Sequence, residues 1–251
     1  MQLLQPDTAH TKSMFERNEL GKHENSARAS SNSALSELRG LDHVKVSKNY
    51  ARGTALFVEG QQPRGLFILS KGRVKVSIAS PEGKTLILRI ARPGDLLGIN
   101  ASLSGRPYST TAETLERCTV DFISRTDLLR LLERDKQFYV EVAQALSLKL
   151  SNVVEHTRLL FLAQSSAEKL ARLLVKWCDE HGTRTGNGIC INYSLTHEEM
   201  GQMICASRET VTRLLAELKR KKIVNLVDNT IIVRNREALE SVARCEPRYL
   251  C

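Results

Sequence analysis

Between Leu195 and Val224 two amphipathic helical patterns, each with its own N-cap, follow one another across a turn of about three residues. Thr196 precedes the first pattern and Glu199 stands three residues on, so hydroxyl and carboxylate can satisfy each other's unpaired backbone amides as a capping box. Met200, Met203 and Ile204 give that short helix one apolar face. Ser207 is an N-cap for the second helix, whose Val211, Leu214, Leu215 and Leu218 recur at 3.6-residue spacing and must face a core. That is the build of a helix-turn-helix. With those four inward, Arg208, Glu209, Thr212 and Arg213 must point outward together.

The outward set has the chemistry to read base edges. A guanidinium donates two hydrogen bonds to O6 and N7 of guanine, and a carboxylate accepts from the amino group of cytosine. Ser207 and Thr210 at the second helix's N-terminus, and Thr196 at the first, suit backbone phosphates. Lys219, with Arg220, Lys221 and Lys222, suits the negative end of the helix dipole and also phosphates. Arg and Glu on an outward face also fit a merely solvated helix. The second cap, the short turn and the Arg-Glu-x-x-x-Arg spacing together favour DNA.

Ser207-Arg208-Glu209-Thr210-Val211-Thr212-Arg213 resembles the recognition helix of the Crp/Fnr family of bacterial transcription regulators. The resemblance implies base contacts by Arg208, Glu209 and Arg213, RNA polymerase as a partner and a half-site of the TGTGA type. Cys205 stands where that family often has a turn glycine. A side chain at positive φ there costs roughly 1 kcal/mol or more but does not forbid the turn.

Lys and Arg outnumber Asp and Glu by 37 to 28, a formal charge of +9 that suits a polyanionic partner without identifying one. No run of 18 apolar residues is present, and Met1-Gln2-Leu3-Leu4-Gln5-Pro6 lacks the plan of a secretory signal, so a cytoplasmic protein with no membrane partner is expected. The six cysteines, at 118, 178, 190, 205, 245 and 251, include no Cys-x-x-Cys pair and are expected as free thiols. No metal-ligand cluster, nucleophile-base pair or phosphate-cradling glycine loop has a recognisable spacing, so neither an enzyme nor a bound cofactor is expected.

Residues 1–30 are polar and of mixed charge, as in an arm without fixed structure. From about Val44 to Ser124 short alternating runs, among them 66–69, 74–78, 86–90 and 120–123, are punctuated by glycines and imply a small barrel or jelly roll. Gly65 to Val74 and Pro93-Gly94-Asp95-Leu96-Leu97-Gly98 resemble the β-roll of cyclic-nucleotide-binding domains. From Gln137 to Leu162 no Pro or Gly interrupts a helical stretch. Tyr139, Ala143, Leu146, Leu150, Val153, Thr157 and Leu160 are spaced alternately by four and three, a coiled-coil seam. A long helix packed on its own β-domain is the competing reading, since Leu148, Val154 and Leu159 add apolar surface. A parallel homodimer is favoured because a helix-turn-helix reading two half-sites needs a two-fold axis.

A helix from Ala167 to about Glu180 buries Leu170, Leu173, Leu174 and Trp177. A strand over 189–193 and a hairpin over 223–233 centred on Asp228-Asn229 complete a winged helix. The expected fold is α+β: arm 1–30, β-roll 31–135, dimerisation helix 136–164, winged helix-turn-helix 165–235 and a C-terminal tail 236–251.

In the cyclic-AMP-binding members that the β-roll resembles, a Glu takes the ribose hydroxyl and an Arg pairs with the cyclic phosphate. Here Ile99 replaces that Glu and Tyr108 that Arg, so the usual mode would lack its bidentate charge-assisted contact. Gly98, Ile99, Tyr108 and Ser109 mark the candidate pocket of an unknown small-molecule effector; Arg106, two residues before Tyr108, is the nearby cation, and its place before Pro107 puts it in an exposed turn. A cyclic-nucleotide-responsive regulator with a divergent pocket is the alternative. Residues 1–117 contain no cysteine, which excludes the N-terminal iron-sulfur cluster of other members. His43 or His156 would be the candidates for a haem ligand and Cys118, Cys205 or Cys251 for a thiol switch, but a lone His is usually a surface or seam residue and the same holds for a scattered thiol.

Overall fold

A computed structural model describes residues 44–163, 165–192, 195–227 and 230–243. The expected arm, His43, Tyr193, the hairpin tip Asp228-Asn229, Cys245 and Cys251 lie outside the described residues.

Eight strands build the β-roll: β1 (Val46–Tyr50), β2 (Ala55–Phe57), β3 (Gly65–Lys71), β4 (Val74–Ala79), β5 (Thr85–Ala91), β6 (Leu96–Leu97), β7 (Thr111–Thr114) and β8 (Cys118–Ser124). They form two antiparallel sheets, ordered β1-β8-β3-β6 and β2-β7-β4-β5. The glycine-punctuated alternation therefore does close into a roll, and β3, β4, β5 and β8 contain the four expected runs. Phe57, Phe67, Leu69, Val74, Leu97, Tyr108 and Val120 pack as one cluster inside it. Helix α1 (Ile99–Ser104) lies between β6 and β7, and α2 (Arg125–Arg134) follows β8 with Ser124 as its N-cap.

The long helix is α3 (Lys136–Phe161), 26 residues capped by Asp135, whose carboxylate accepts from the amides of Gln137 and Phe138. At 1.5 Å per residue it is about 39 Å long. Its inward face buries Phe138, Val142, Ala145, His156 and Leu159. The first three join Leu66, Ile68, Ile99 and Ile123 over the roll. One residue further on lies the expected seam: Tyr139 is 62% exposed, Leu150 67% and Val153 58%, Ala143 and Thr157 are exposed, and Leu146 and Leu160 half-buried. The competing reading, a helix packed on its own β-domain, describes the stripe of Phe138, Val142 and Ala145. The helix packs on its own β-domain along that stripe and leaves the 3.5-residue seam open along the next.

Helix α4 (Ser166–His181), capped by Ser165, opens the second domain and buries Leu170, Leu173, Leu174 and Trp177 as expected. Strands β9 (Thr183–Thr185), β10 (Gly188–Asn192), β11 (Val224–Val227) and β12 (Thr230–Val233) form a sheet ordered β11-β12-β10-β9, with α5 (His197–Ile204) and α6 (Arg208–Arg220) between β10 and β11. The segment expected as a tail from residue 236 begins instead with α7 (Arg236–Ala243). Asn235 Oδ1 accepts from Ala238 N at 2.9 Å, and Leu239 and Ala243 are fully buried. Arg172 ties α7 to α4 by donating to the Ala243 carbonyl at 3.1 Å while pairing with the buried Glu168 at 2.8 Å.

The two domains share a core. Ile87 and Ile90 of β5, with Leu115, belong to the same buried cluster as Leu159, Met200, Met203, Val211 and Leu215.

Candidate nucleic-acid interface

The first helix of the pair is built as its sequence requires. Thr196 Oγ1 accepts from Glu199 N at 3.1 Å and Glu199 Oε2 accepts from Thr196 N at 2.8 Å, a complete capping box. Its apolar face, Met200, Met203 and Ile204, is buried. The helix ends at Cys205, whose φ of 56° and ψ of 45° are left-handed, so the position does need positive φ. Ala206 N then donates to Gly201 O at 2.9 Å. A Cβ on Gly201 would collide with the Ala206 carbonyl, so this glycine lets the chain fold back closely.

Ser207 caps α6 by accepting from Thr210 N at 3.2 Å. Val211, Leu215 and Leu218 are at most 6% exposed, while Leu214, expected inward with them, is only half-buried at the edge of the cluster. Arg208, Glu209, Thr212 and Arg213 are all exposed on the opposite side, as a 3.6-residue period demands. Among the described residues neither guanidinium is hydrogen-bonded or held in a salt bridge, so both donor forks are open to a ligand. The amide at the start of α6 and the Ser207 hydroxyl hold the Glu209 carboxyl below its ordinary range, leaving it an ionised acceptor.

Other expected contacts are less free. Thr212 Oγ1 donates to Arg208 O at 2.9 Å and lies 2.8 Å from His197 Nδ1. With the Thr212 proton spent on that carbonyl, His197 Nδ1 is the donor. His197 is thus a polar residue beside the readers that the sequence reading passed over. The Ser207 and Thr210 hydroxyls bond each other at 3.1 Å, and Thr196 is engaged in its capping box, so all three first serve the helix ends. Lys219 is exposed at the far end of α6, where Lys221 is instead paired with Glu217 at 2.8 Å.

The four residues expected at an effector pocket do not line one cavity. Ile99 is fully buried in the cluster beneath α3, and Ser109 is exposed. Gly98 and Tyr108 do meet: a Cβ on Gly98, at φ 77°, would lie 2.7 Å from the Tyr108 ring. That ring stacks on Phe57 at 4.1 Å between centroids, and its hydroxyl donates to Gly65 O at 2.9 Å. Tyr108 is therefore a satisfied core residue. A shallow cavity of about 290 Å³ lies beside it, edged by Gln61, Gln62 and Arg64 over Phe57 and Phe67, but those rings are at most 6% exposed. Arg106 sits in an exposed turn.

The remaining candidates also have structural partners. His156 is buried and bonded to Met203 O at 3.1 Å, which fills the ring nitrogen a haem iron would need. The four described cysteines, Cys118, Cys178, Cys190 and Cys205, are free, and burial pushes the Cys118 thiol up, away from reactivity. Among the described residues no group of three metal-ligating side chains is close enough to hold a metal, and no helix is long and apolar enough to cross a membrane.

Comparison with known proteins places both halves. Residues 47–135 match the family model of the cyclic nucleotide-binding domain, and residues 168–242 that of the Crp-like helix-turn-helix domain. The chain is 27% identical over 215 residues to the anaerobic regulatory protein of Bacillus subtilis, covering 84% of this chain and 90% of that one. It is 24% identical over 196 residues to the CRP-like cAMP-activated global transcriptional regulator of Mycobacterium tuberculosis, covering 78% and 87%. A CRP-family transcriptional regulator of Thermus thermophilus has a similar structure, with a TM-score of 0.66, 27% identity, and coverage of 79% of this chain and 97% of that chain. The second family match runs to residue 242 and so includes most of α7, the helix expected as a tail.

Proposed function

The chain belongs to the Crp/Fnr family of DNA-binding transcription regulators, and from that premise we propose that it acts as a homodimer on an inverted-repeat site. The observation that carries this reading is the split of α6 into a buried face of Val211, Leu215 and Leu218 and an exposed face of Arg208, Glu209 and Arg213. Arg208 and Arg213 supply bidentate donors for guanine and Glu209 an acceptor for cytosine amino groups, which supports half-sites of the TGTGA type. Thr212 contributes its methyl group, because its hydroxyl is engaged within the protein. Lys219 reaches phosphate, and Ser207, Thr210 and Thr196 contribute through the backbone amides they order at the two helix ends.

The open seam on α3 supports the dimer. Tyr139, Leu150 and Val153 are more than half exposed in the single chain, and a second copy would bury them along a two-fold axis. Two recognition helices held on that axis meet the major groove one helical turn apart, about 34–36 Å. The family's action on transcription implies contact with RNA polymerase, and the β-roll is the regulatory half. The packing of Ile99 and Tyr108 into apolar clusters supports an effector other than cyclic AMP bound in the usual way.

Selection of binding sites from random DNA by the purified protein tests this directly. An inverted repeat should be enriched, and a non-palindromic or absent consensus would overturn the reading. The second reading, a cyclic-nucleotide-responsive regulator with a divergent pocket, is favoured by the domain match over residues 47–135. Calorimetry with cyclic AMP and cyclic GMP decides it, micromolar binding supporting that alternative.

A further inference from the structure

Two histidines sit where the DNA-binding domain meets the rest of the chain, and each bridges that joint. His156, on the inward face of α3, bonds through Nε2 to the carbonyl of Met203 in α5 at 3.1 Å. A carbonyl only accepts, so Nε2 carries the hydrogen, and burial, which holds the ring below the ordinary histidine range, favours the neutral form with Nδ1 bare. His181, the last residue of α4, lies with Nδ1 at 2.6 Å from Nη1 of Arg92 in the turn after β5. Arginine has no acceptor, so Nδ1 must hold the lone pair and Nε2–H must face Glu180, whose Oε2 is 3.3 Å away. Between these two polar bridges Ile87 and Ile90 of β5 lie in one buried cluster with Met200 and Met203 of α5. The joint is therefore an apolar contact with a neutral imidazole at each side.

We propose that His156 and His181, in their uncharged forms, are positioning residues that lock the DNA-binding domain onto the α3 axis and the β-roll, so that acidification releases the recognition helices from their paired setting. The inference rests on the reading of the protein as a dimer that reads two half-sites.

The chemistry at each ring sets the direction. A proton on His181 occupies the nitrogen that accepts from Arg92 and sets a cation against a guanidinium. Burial would raise the Glu180 carboxyl, but the His181 hydrogen bond, with Lys176 and Arg92, outweighs it and keeps the group ionised. Around His156, burial first and then the charge of Lys176 depress the ring's affinity for a proton, against the Met203 hydrogen bond that favours it. A depressed value in the docked state means that docking is fully supported above the ordinary histidine range near 6.5 and weakens as pH falls through it. At His181 the geometry alone carries the argument, because the nitrogen that faces Arg92 can accept only while it is bare.

The test uses the full chain at constant salt, with an inverted-repeat duplex and a single half-site duplex, between pH 7.5 and 5.5. Affinity for the inverted repeat should weaken about tenfold on acidification while the half-site holds or tightens, and small-angle X-ray scattering of the protein alone should show expansion over the same range. His156→Gln with His181→Gln keeps a donor for Met203 and an acceptor for Arg92 but cannot titrate. This variant should bind like wild type at pH 7.5 and show neither the loss nor the expansion. His156→Ala with His181→Ala should be expanded and weak at every pH. An acid loss unchanged in the glutamine variant, or scattering that does not change with pH in the wild type, would overturn the proposal. No binding to any inverted repeat at pH 7.5 would overturn the proposed function instead, with the scattering still deciding this one.

Discussion

Replacing Cys205 by glycine isolates the strained residue in the turn between α5 and α6. Its φ of 56° and ψ of 45° are left-handed, which costs a residue with a Cβ about 1–2 kcal/mol. Glycine removes that strain but adds freedom to the unfolded chain, a loss of roughly 0.5–1 kcal/mol. The Cys205 side chain is exposed, so little burial is given up, and strain relief wins by about 0.5–1 kcal/mol. Trp177, the chain's single tryptophan, is 2% exposed in α4 against the same core as α5 and α6. Its fluorescence therefore reports unfolding of this domain. With a urea dependence of about 2 kcal/mol per molar, the midpoint should rise by about 0.2–0.5 M in Cys205→Gly. Cys205→Ala should match wild type, and Cys205→Val should lie lower by about 1 kcal/mol or more, because a branched Cβ is still less tolerant of this conformation. A glycine midpoint at or below wild type, with valine tolerated, would refute the claim that backbone strain at this turn limits the domain.

Three further outcomes follow from the same geometry. Arg208→Ala should weaken binding to the selected site by about 1–3 kcal/mol per half-site in a filter or anisotropy assay while random DNA is almost unaffected, and equal losses on both would remove Arg208 from base reading. Leu150→Glu removes one exposed apolar seam residue from each chain, worth about 1.5–3 kcal/mol apiece when buried. It should raise the dimer dissociation constant about 100-fold or more in sedimentation equilibrium, and an unchanged dimer would mean that the seam is not the interface. Lys149 is half-buried as a residue, yet burial, helped by Arg89 and opposed by Asp95, pushes its ammonium down to about 7 from 10.5. A lysine depressed in the folded state contributes least below pH 7 and recovers as pH rises toward its unfolded value. Thermal stability should therefore climb between pH 7 and 9 in the wild type, by roughly 1–3 kcal/mol after allowing for solvent screening, and stay flatter in Lys149→Met. Parallel profiles in the two proteins would contradict that assignment.

The elements that sequence reading placed well are those whose cause is local. Thr196, Glu199 and Ser207 cap the helices that follow them, and Val211, Leu215 and Leu218 turn inward because neighbours three and four apart share a face. The α7 helix was legible by the same signs, with Asn235 as cap and Leu239, Val242 and Ala243 at helical spacing, but eight residues make a weak periodic signal. At the candidate effector pocket the substitutions at Ile99 and Tyr108 were visible, while their consequence was not. Nothing near Tyr108 in the chain says that its ring stacks on Phe57 and its hydroxyl reaches Gly65.

The sequence by itself determined that this protein has two amphipathic helices in a tight turn with Arg208, Glu209 and Arg213 facing out, and a helix with a heptad seam, because periodicity and capping act within a few residues. The tertiary structure alone decided that α3 has a second, inward stripe, that β5 packs into the core of the DNA-binding domain, and that His156 meets Met203 and Arg92 meets His181. Those partners lie 47 and 89 residues apart. Contacts at such separations depend on how whole surfaces fit and which polar groups are left to satisfy one another, information that no local pattern carries.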